Sequence, residues 1–518
     1  MKNFVSLLVS AFALLALPAR ADTSIDGGIV PDRYIVVYRN GTIPAEADLQ
    51  SRIAGARIVH RQDRLGMASV QTLAATAPTS AKSRSASAES HDVMRQLAAQ
   101  PNVEYVFHDR IVTGNRLHIK PVTQADRSVF SLAIGTSTFD TFYNSPQGWA
   151  VRQAGGYGRN IPGGPTAGPW DTTTGKNIRI AVLDSGVDAT HPDISPNLLL
   201  NMSEVDQTAL PSICDDSSPQ DQAGHGTWVA SLAAGALGPG TGRVIGVAPS
   251  ASILNIKVLE RVPSTTTGAT DTARCESGES AGLLSWVLAG INDALANNAQ
   301  VISMSLGTTV DLASSDGAGV KSAFDYVTSA AFRAGAVLVA AAGNDGRSLT
   351  NPRYVEIPAQ AQGVLAVIAS TNPDCAEDTR SSAACRPGDI SMASYSNYGS
   401  LLNAIAAPGG SYPEGADLAV SGWIRGACSM GVPHTADGLP SDAAHSFGCF
   451  DAGHVAYVQA IGTSASAPLV AGAAALLFAA HPEWSAQTVV DALRNTANPA
   501  TATLPAPQIN LSAALLYH

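Results

Sequence analysis

Three short segments place a carboxylate, an imidazole and a hydroxyl beside glycines in a largely apolar chain. They are Ile-Ala-Val-Leu-Asp184-Ser-Gly, Gly-His225-Gly-Thr-Trp-Val-Ala and Gly-Thr-Ser464-Ala-Ser-Ala-Pro. A serine hydroxyl becomes a nucleophile when an imidazole takes its proton and a carboxylate orients that imidazole. Asp184 ends an apolar strand pattern, whereas His225 and Ser464 each begin an apolar helix pattern. Together they predict covalent catalysis by Ser464, with His225 as the base and Asp184 as its orienting acid.

These segments, in the order Asp, His, Ser, resemble those of the subtilisin family of serine peptidases. A fourth segment, Ala-Ala-Ala-Gly343-Asn344, ends another apolar strand pattern and resembles the segment that carries the family's oxyanion-binding Asn. The resemblance implies an endopeptidase that hydrolyses protein or peptide substrates through an acyl-enzyme. It implies that Asn344 stabilises the oxyanion and that the chemistry requires no cofactor.

The resemblance also implies a substrate cleft. An edge strand that pairs with the substrate would hold Ser305, Leu306 and Gly307, and the opposite wall of the S1 pocket would hold Ala341, Ala342 and Gly343. Aligning the chain on Ile357-Pro358 puts Glu356 at the floor of that pocket. A partly desolvated carboxylate there would favour a basic residue before the cleaved bond. Alternatively, Glu356 points to solvent or pairs with Arg347 or Arg353.

A structural calcium ion is a further implication. Asp193, nine residues after Asp184, matches a family position that ligates calcium, which needs six to eight oxygen ligands. The companion loop here reads Gly-Ala-Leu-Gly-Pro-Gly-Thr-Gly242 and lacks the family's Asn, so the calcium site stays open. Trp228 also departs from the pattern, since family members usually have a second His at this position.

Two other functions compete with the endopeptidase. Gly278-Glu-Ser280-Ala-Gly282 matches the G-x-S-x-G elbow of α/β-hydrolases, which would make the protein an esterase using Ser280. That chemistry requires a hydrophobic strand running straight into the serine, whereas residues 264–276 are polar. Ser280 is therefore predicted to cap a helix over 281–296. The second alternative is a catalytically inactive secreted binding protein.

Composition and the N-terminus bear on location and partners. The 518 residues carry a net charge of −11, which argues against nucleic acid or an anionic membrane as partner. An apolar run over 4–17 ends at Pro18-Ala-Arg-Ala21, a small-x-small pattern that predicts a signal peptide over residues 1–21. No later stretch has 18 uninterrupted apolar residues, so the mature protein is expected to be secreted, to the periplasm or outside the cell, without a membrane segment.

Six cysteines in an exported chain favour disulfides, although they allow 15 connectivities. Short loops favour Cys375–Cys385 and Cys428–Cys449, which leaves Cys214–Cys275.

The pattern divides the chain into domains. Residues 22–112 predict a β-α-β-β-α-β, ferredoxin-like unit, which resembles the family's inhibitory and folding-assisting propeptide; the alternative is a permanent small binding domain. Residues 113–145 are predicted to be a linker. Residues 146–518 alternate apolar strands with helices, which predicts an α/β, doubly wound and mostly parallel sheet. Compared with a minimal member of the family that it resembles, the chain has additional residues at 261–279 and 410–460, and we expect them to form ordered loops near the cleft.

Overall fold

The computed structural model describes residues 28–73, 85–114, 118–119, 143, 148–159, 167–237, 244–265, 268–314, 316–372, 389–410, 424–432, 450–451 and 456–518. The predicted signal peptide, most of the predicted linker, and Cys375, Cys385 and Cys449 lie outside these residues.

Residues 28–114, here called the N-terminal unit, form the expected β-α-β-β-α-β sequence of elements. These are β1 (Ile29–Tyr38), α1 (Ala47–Ile53), β2 (Ala56–Gln62), β3 (Met67–Thr72), α2 (Ser85–Ala98) and β4 (Val103–Gly114). The sheet order is β4-β1-β3-β2, all antiparallel. Side chains alternate along β1: Tyr34 and Val36 belong to the unit's own core, whereas Ile35 and Val37 belong to the core of the larger domain.

Strand β4 is longer than the sequence predicts, and it joins the two domains. The pattern indicated a strand over 103–107 and a domain boundary at 112, but β4 continues to Gly114. Its first half pairs with β1. Its last four residues, Ile111–Gly114, pair antiparallel with two strands of the following domain, β10 (Glu279–Leu283) and β12 (Leu306–Asp311). Residues 111–114 are therefore in a strand because they pair with β10 and β12. The local sequence could not reveal these distant partners.

A seven-stranded parallel sheet forms the centre of the larger domain. Its order is β16-β15-β13-β11-β6-β8-β7. The strands are β6 (Arg179–Asp184), β7 (Leu198–Ser203), β8 (Ser252–Lys257), β11 (Val301–Met304), β13 (Val337–Ala341), β15 (Val364–Ser370) and β16 (Ala404–Pro408). Most of these strands are buried on both faces and read as continuous apolar runs, which is typical of a parallel sheet. The edge strands β7 and β16 were not predicted.

Helices cover both faces of this sheet, as a doubly wound fold requires. They are α3 (Trp149–Gln153), α4 (His225–Ala234), α5 (Asp271–Glu276), α6 (Leu284–Ala296), α7 (Gly317–Arg333), α8 (Thr463–Ala480), α9 (Ala486–Asn495) and α10 (Leu511–Ala514). Along β6, Ile180 and Val182 face the core shared with α4 and α8, whereas Ala181 and Leu183 face α6 and α7. Within the described residues, α8 alone is long and apolar enough to cross a membrane, and 89% of it is buried inside the protein.

Four further antiparallel strands extend the sheet of the N-terminal unit through β4, which makes a sheet of eight strands. Strand β9 (Leu259–Val262) pairs with β10, and β14 (Tyr354–Ile357) pairs with β12. Strands β17 (Ile424–Ala427), β18 (Phe450–Asp451) and β19 (Ala456–Ile461), from the second predicted insertion, form a sheet to which β5 (His118–Ile119) adds.

Two predictions of local structure were wrong. Ser280 does not cap a helix; it lies within β10, and the helix begins at Leu284. The run over 300–306 is not one strand, because the chain leaves the parallel sheet at Ser305 and continues as β12 in an antiparallel sheet. In both cases a tertiary strand pairing outweighed the local pattern.

The predicted Cys214–Cys275 disulfide is present, with a Cα–Cα distance of 5.3 Å. It ties the segment before His225 to α5, which leads into β10. Cys428 also takes part in a disulfide. Its predicted partner Cys449 and the Cys375–Cys385 pair lie outside the described residues, so these two pairings stay predictions.

Replacing both Cys214 and Cys275 by serine is expected to destabilise the fold, because the unfolded chain gains conformational entropy when the cross-link is removed. For a sequence separation of 61, the chain-entropy model predicts a loss of about 4 kcal/mol in the free energy of unfolding. Guanidinium denaturation measures this loss, with Ser464→Ala in both proteins because the sequence predicts that Ser464 is the nucleophile of a peptidase. In excess reductant the two proteins should unfold together. A difference below about 1 kcal/mol in oxidising buffer would contradict the prediction.

Candidate active site

Asp184 and His225 are joined by a short hydrogen bond. Asp184 is the last residue of β6, and its Oδ1 lies 2.6 Å from Nδ1 of His225. Oδ1 also accepts a hydrogen bond from the Ser185 N–H at 2.8 Å. Because the carboxylate engages Nδ1, the other ring nitrogen, Nε2, is the one that can take a proton. Nε2 is buried and has no hydrogen-bond partner among the described residues.

His225 is the first residue of α4, and a second buried carboxylate fixes this helix start. Asp221 Oδ1 accepts hydrogen bonds from the N–H groups of Ala223 and Gly224 and from Ser185 Oγ, at 2.7–3.0 Å. Its Oδ2 accepts from the N–H and the hydroxyl of Thr227 at 2.8 and 2.7 Å. Burial raises the pKa of Asp221, and the hydrogen bonds from these five donors counter part of that rise. Sequence reasoning missed this residue, although an acidic residue just before a helix start is a capping signal.

Ser464 lies in the first turn of α8, one residue after its start at Thr463. The hydroxyl Oγ is buried and, like Nε2 of His225, lacks a hydrogen-bond partner among the described residues. Ser305, a predicted cleft residue, contacts the backbone of Ser464, because Ser305 Oγ donates a hydrogen bond to the Ser464 carbonyl at 3.0 Å. At a helix start, backbone N–H groups without an intrahelical partner point toward any developing negative charge.

Asn344 is tied to the same helix start. Its Oδ1 accepts hydrogen bonds from the N–H and the hydroxyl of Thr463, at 2.9 and 2.8 Å. With the oxygen end engaged, the NH₂ end of the amide is the donor that this side chain can present beside Ser464. The structure therefore brings the predicted oxyanion donor next to the predicted nucleophile.

Strand β4 lies between strands β10 and β12. Leu306 and Gly307 of β12 lie opposite Gly114 and Thr113 of β4. On the other side, β10 pairs with residues Ile111–Thr113 of β4. The peptide backbone of the N-terminal unit thus follows an extended path that leads to the segment holding Ser305.

Glu356 lies in β14, behind Gly307. An added Cβ on Gly307 would be 2.4 Å from its Oε1, and one on Gly343 would be 3.8 Å from its Cδ. Ala341 ends β13, and Ala342 and Gly343 follow it, so both predicted pocket walls converge on this carboxyl. Thr309 Oγ1 donates to Oε2 at 2.9 Å. Burial raises the pKa of Glu356 to about 8.

The alternative placements of Glu356 do not describe this structure. The residue is 4% exposed, so it does not point to solvent. Arg353 pairs with Asp311, at 2.6 Å. Arg347 donates to Thr309 Oγ1 at 3.1 Å and does not contact Glu356 directly, although its charge lowers the pKa of Glu356 against the larger effect of burial.

Asp193, the predicted calcium ligand, accepts two hydrogen bonds at one of its carboxylate oxygens. Its Oδ2 receives the N–H of Val244 at 3.2 Å and the hydroxyl of Tyr457 at 3.3 Å. Two donors aimed at one oxygen do not suit a cation at that oxygen. Residues 238–243 of the companion loop lie outside the described residues, and bound calcium stays a prediction.

Comparison with known proteins identifies the family. A sequence model described as the subtilase family matches residues 175–510, which is more than half of the chain. Thermitase from Thermoactinomyces vulgaris is 33% identical over 271 residues, covering 52% of this chain and 75% of that protein. The chain belongs to the subtilase family. This subtilase is accordingly a subtilisin-like serine endopeptidase that acts on peptides or proteins.

Two further comparisons include the N-terminal unit. The extracellular protease of Xanthomonas campestris pv. campestris is 27% identical over 515 residues, covering 93% of this subtilase and 72% of that protein. The solved structure of fervidolysin from Fervidobacterium pennivorans matches 95% of this subtilase and 62% of that chain, with a TM-score of 0.61 and 22% identity. At that identity the second likeness shows the fold alone.

Replacing Asp221 by Asn should weaken both the fold and the histidine's position. An amide NH₂ in place of either oxygen faces at least two donors, so those donors lose their acceptor. We expect the free energy of unfolding to fall by about 2–3 kcal/mol and kcat to fall much more than KM rises. Denaturation and steady-state kinetics measure these effects. Asp216→Asn is the matched control, because Asp216 is an exposed carboxylate in the same loop. Equal losses in both variants would contradict a role of Asp221 in positioning His225.

Proposed function

We propose that this subtilase is a secreted endopeptidase made as a self-processing zymogen. Ser464 is the nucleophile, His225 the general base and then acid, Asp184 its orienting group, and Asn344 an oxyanion donor. The observation that carries these roles is the 2.6 Å bond between Asp184 and Nδ1 of His225. It leaves Nε2 as the basic nitrogen, and the Ser464 hydroxyl is likewise buried and without a partner among the described residues.

The chemistry follows from these groups. Oγ of Ser464 attacks the carbonyl carbon of the substrate while Nε2 of His225 takes the hydroxyl proton. The negative charge that develops on the carbonyl oxygen meets the NH₂ of Asn344 and the N–H groups at the start of α8. His225 then gives the proton to the leaving amine as the C–N bond breaks. Water, deprotonated by His225, hydrolyses the remaining ester and restores Ser464.

The N-terminal unit is proposed to be the propeptide and an intramolecular inhibitor. Its residues Ile111–Gly114 take the place of a substrate backbone between β10 and β12. Beyond them, His118 and Ile119 pair with β19, which ends three residues before Ser464. The first stretch pairs with the strand that follows Ser305 and the second with the strand that precedes Ser464, so self-cleavage is expected between Gly114 and His118. Secretion rests on the signal-peptide pattern and on the extracellular protease among the relatives.

Ser464→Ala should stop maturation and labelling together. The variant should accumulate as a precursor that retains the N-terminal unit, because the expected cut requires the enzyme's own nucleophile. In the wild-type chain, a fluorophosphonate probe should label Ser464, as peptide mapping would determine. Ser280→Ala, the matched control, should still label. Labelling of Ser280 would indicate the esterase instead, and no labelling of properly folded protein would indicate an inactive binding protein.

Glu356 is proposed to give the S1 pocket a preference for Arg and Lys. The carboxyl is buried against Gly307 and near Gly343, and no cation contacts it directly among the described hydrogen bonds and ion pairs. A buried carboxylate without a cation is costly, and a guanidinium from the substrate would offset that cost.

The preference should depend on pH, since Glu356 is neutral below its pKa of about 8 and charged above it. The ratio of kcat/KM for Arg over Leu peptides should therefore rise as the pH passes upward through this value. Glu356→Gln should remove the rise and lower the ratio at high pH by about tenfold or more. Glu483→Gln, a control at an exposed glutamate, should change neither the rise with pH nor the ratio at high pH. A wild-type ratio that is independent of pH and equal to that of Glu356→Gln would refute this role.

A further inference from the structure

We propose that Ser280 and Leu259 limit one subsite of the cleft to glycine or alanine. The subsite is the one that Gly114 occupies in β4. This inference rests on the proposed function, since it takes β4 as the guide to the path of a substrate backbone. It gives a role to Ser280, whose sequence motif suggested a different nucleophile, and it adds a selection that is independent of the S1 pocket.

The first observation is the lack of space beside Gly114. A Cβ at this position would lie 3.2 Å from Cβ of Ser280 and 3.4 Å from Cδ1 of Leu259. The first distance is tighter than an ordinary contact and the second is at its limit. Alanine therefore needs a displacement of a few tenths of an ångström, and a branched side chain needs a much larger one. Overpacking of this kind is costly when the surroundings cannot move.

The wall of the subsite is held in place by strand pairing. Leu259 and Ser280 lie on adjacent strands, β9 and β10, with Ser280 opposite Arg261 and Gly282 opposite Leu259. Leu259 is fully buried in the core of the domain. The other edge of β10 pairs with β4, which takes the place of the substrate, so in the mature enzyme the pairing with β9 is what holds this wall.

Arg261 and the disulfide attach β9 and β10 to the histidine segment. The Arg261 guanidinium donates to the carbonyls of Cys275 and Glu276 at 2.5 and 2.9 Å, at the end of α5. It also donates to the carbonyl of Gln222 at 3.2 Å. Cys275 is further linked to Cys214. Because these contacts are buried, moving the wall to admit a larger residue would break several of them at once.

The adjacent positions of β4 are not restricted in this way. Val112 is 1% exposed, lies opposite Gly282 and packs into the same apolar core as Leu259 and Leu283. The cleft thus accepts a large apolar residue two positions before the one that it limits. A size limit at a single position is a specificity feature, and a generally narrow cleft would not produce it.

Peptide substrates test the proposal on the mature enzyme. The parent peptide copies residues 107–122, and three others differ only in Ala, Val or Leu at the Gly114 position. We expect kcat/KM for the Gly and Ala peptides to be within about fivefold of each other, and that for the Val and Leu peptides to be about 10- to 100-fold lower. Substituting Val112 by Ala serves as the peptide control and should not reproduce this order.

Enzyme variants locate the selectivity. Ser280→Gly and Leu259→Ala should each raise the ratio of kcat/KM for the Val peptide over the Gly peptide by about tenfold. Glu279→Gln is the matched control, because its exposed side chain lies on the same strand, and it should leave the ratio unchanged. Fluorophosphonate titration gives the concentration of active sites, so a variant that folds poorly is still compared per active molecule.

The outcomes separate this inference from the proposed function. If the probe labels Ser464 and the enzyme cleaves the Val and Gly peptides equally well, the size limit is refuted while the endopeptidase mechanism stands. If the labelled enzyme degrades casein but none of the peptides, β4 does not trace the substrate path and the inference is wrong. If neither labelling nor casein degradation occurs, the proposed function itself fails.

Discussion

The active site depends on one constraint of the main sheet: β6, β11 and β13 are parallel neighbours that end at the same edge. Asp184 ends β6, Ser305 follows β11, and Asn344 lies three residues beyond β13. Since parallel strands place their carboxyl ends together, residues distant in sequence arrive at one crevice. A register shift of one residue along β6 would turn Asp184 to the opposite face and away from His225.

His225 and Ser464, the proposed general base and nucleophile, lie at the starts of helices α4 and α8, which are buried almost completely. Small residues allow these helices to approach closely: a Cβ on Gly472 of α8 would lie 2.8 Å from the carbonyl of Ala233 in α4. A larger residue there would push the helices apart and separate His225 from Ser464. The insertion strand β17 supports α4 from its far side, because Trp228 donates to the Ile424 carbonyl at 3.3 Å. The indole that replaces the imidazole expected from the resemblance thus contacts a strand of the second predicted insertion.

Features that depend on local pattern could be predicted from the sequence. Continuous apolar runs indicated the inner strands of the parallel sheet, and glycine-flanked polar residues at the ends of apolar runs indicated Asp184, His225 and Ser464. Features that depend on a distant partner could not. Ser280 begins what looks like a helical run and becomes a strand only through its pairing with β4 and β9. Asp221 was missed because its five donors converge on it only after folding, and β4 gains its last residues from strands more than 150 positions away.

The contact between the two domains combines apolar and polar parts that behave differently on separation. Ile35, Val37 and Phe107 of the N-terminal unit share a core with α6 and α7, so most of the attraction is hydrophobic. Asp109 accepts the N–H of Ser285 near the start of α6 at 3.1 Å, and Asp316, before α7, accepts the Arg110 guanidinium at 2.6 Å.

These polar contacts fix the register of docking, since a displaced surface would bury unpaired charges. After separation, water can satisfy Ser285, Asp316 and their former partners, so the exposed groups are not left as buried charges. Only the apolar part then opposes release. The division suits the proposed role as a removable propeptide, because polar groups select the orientation of docking and apolar area sets the affinity.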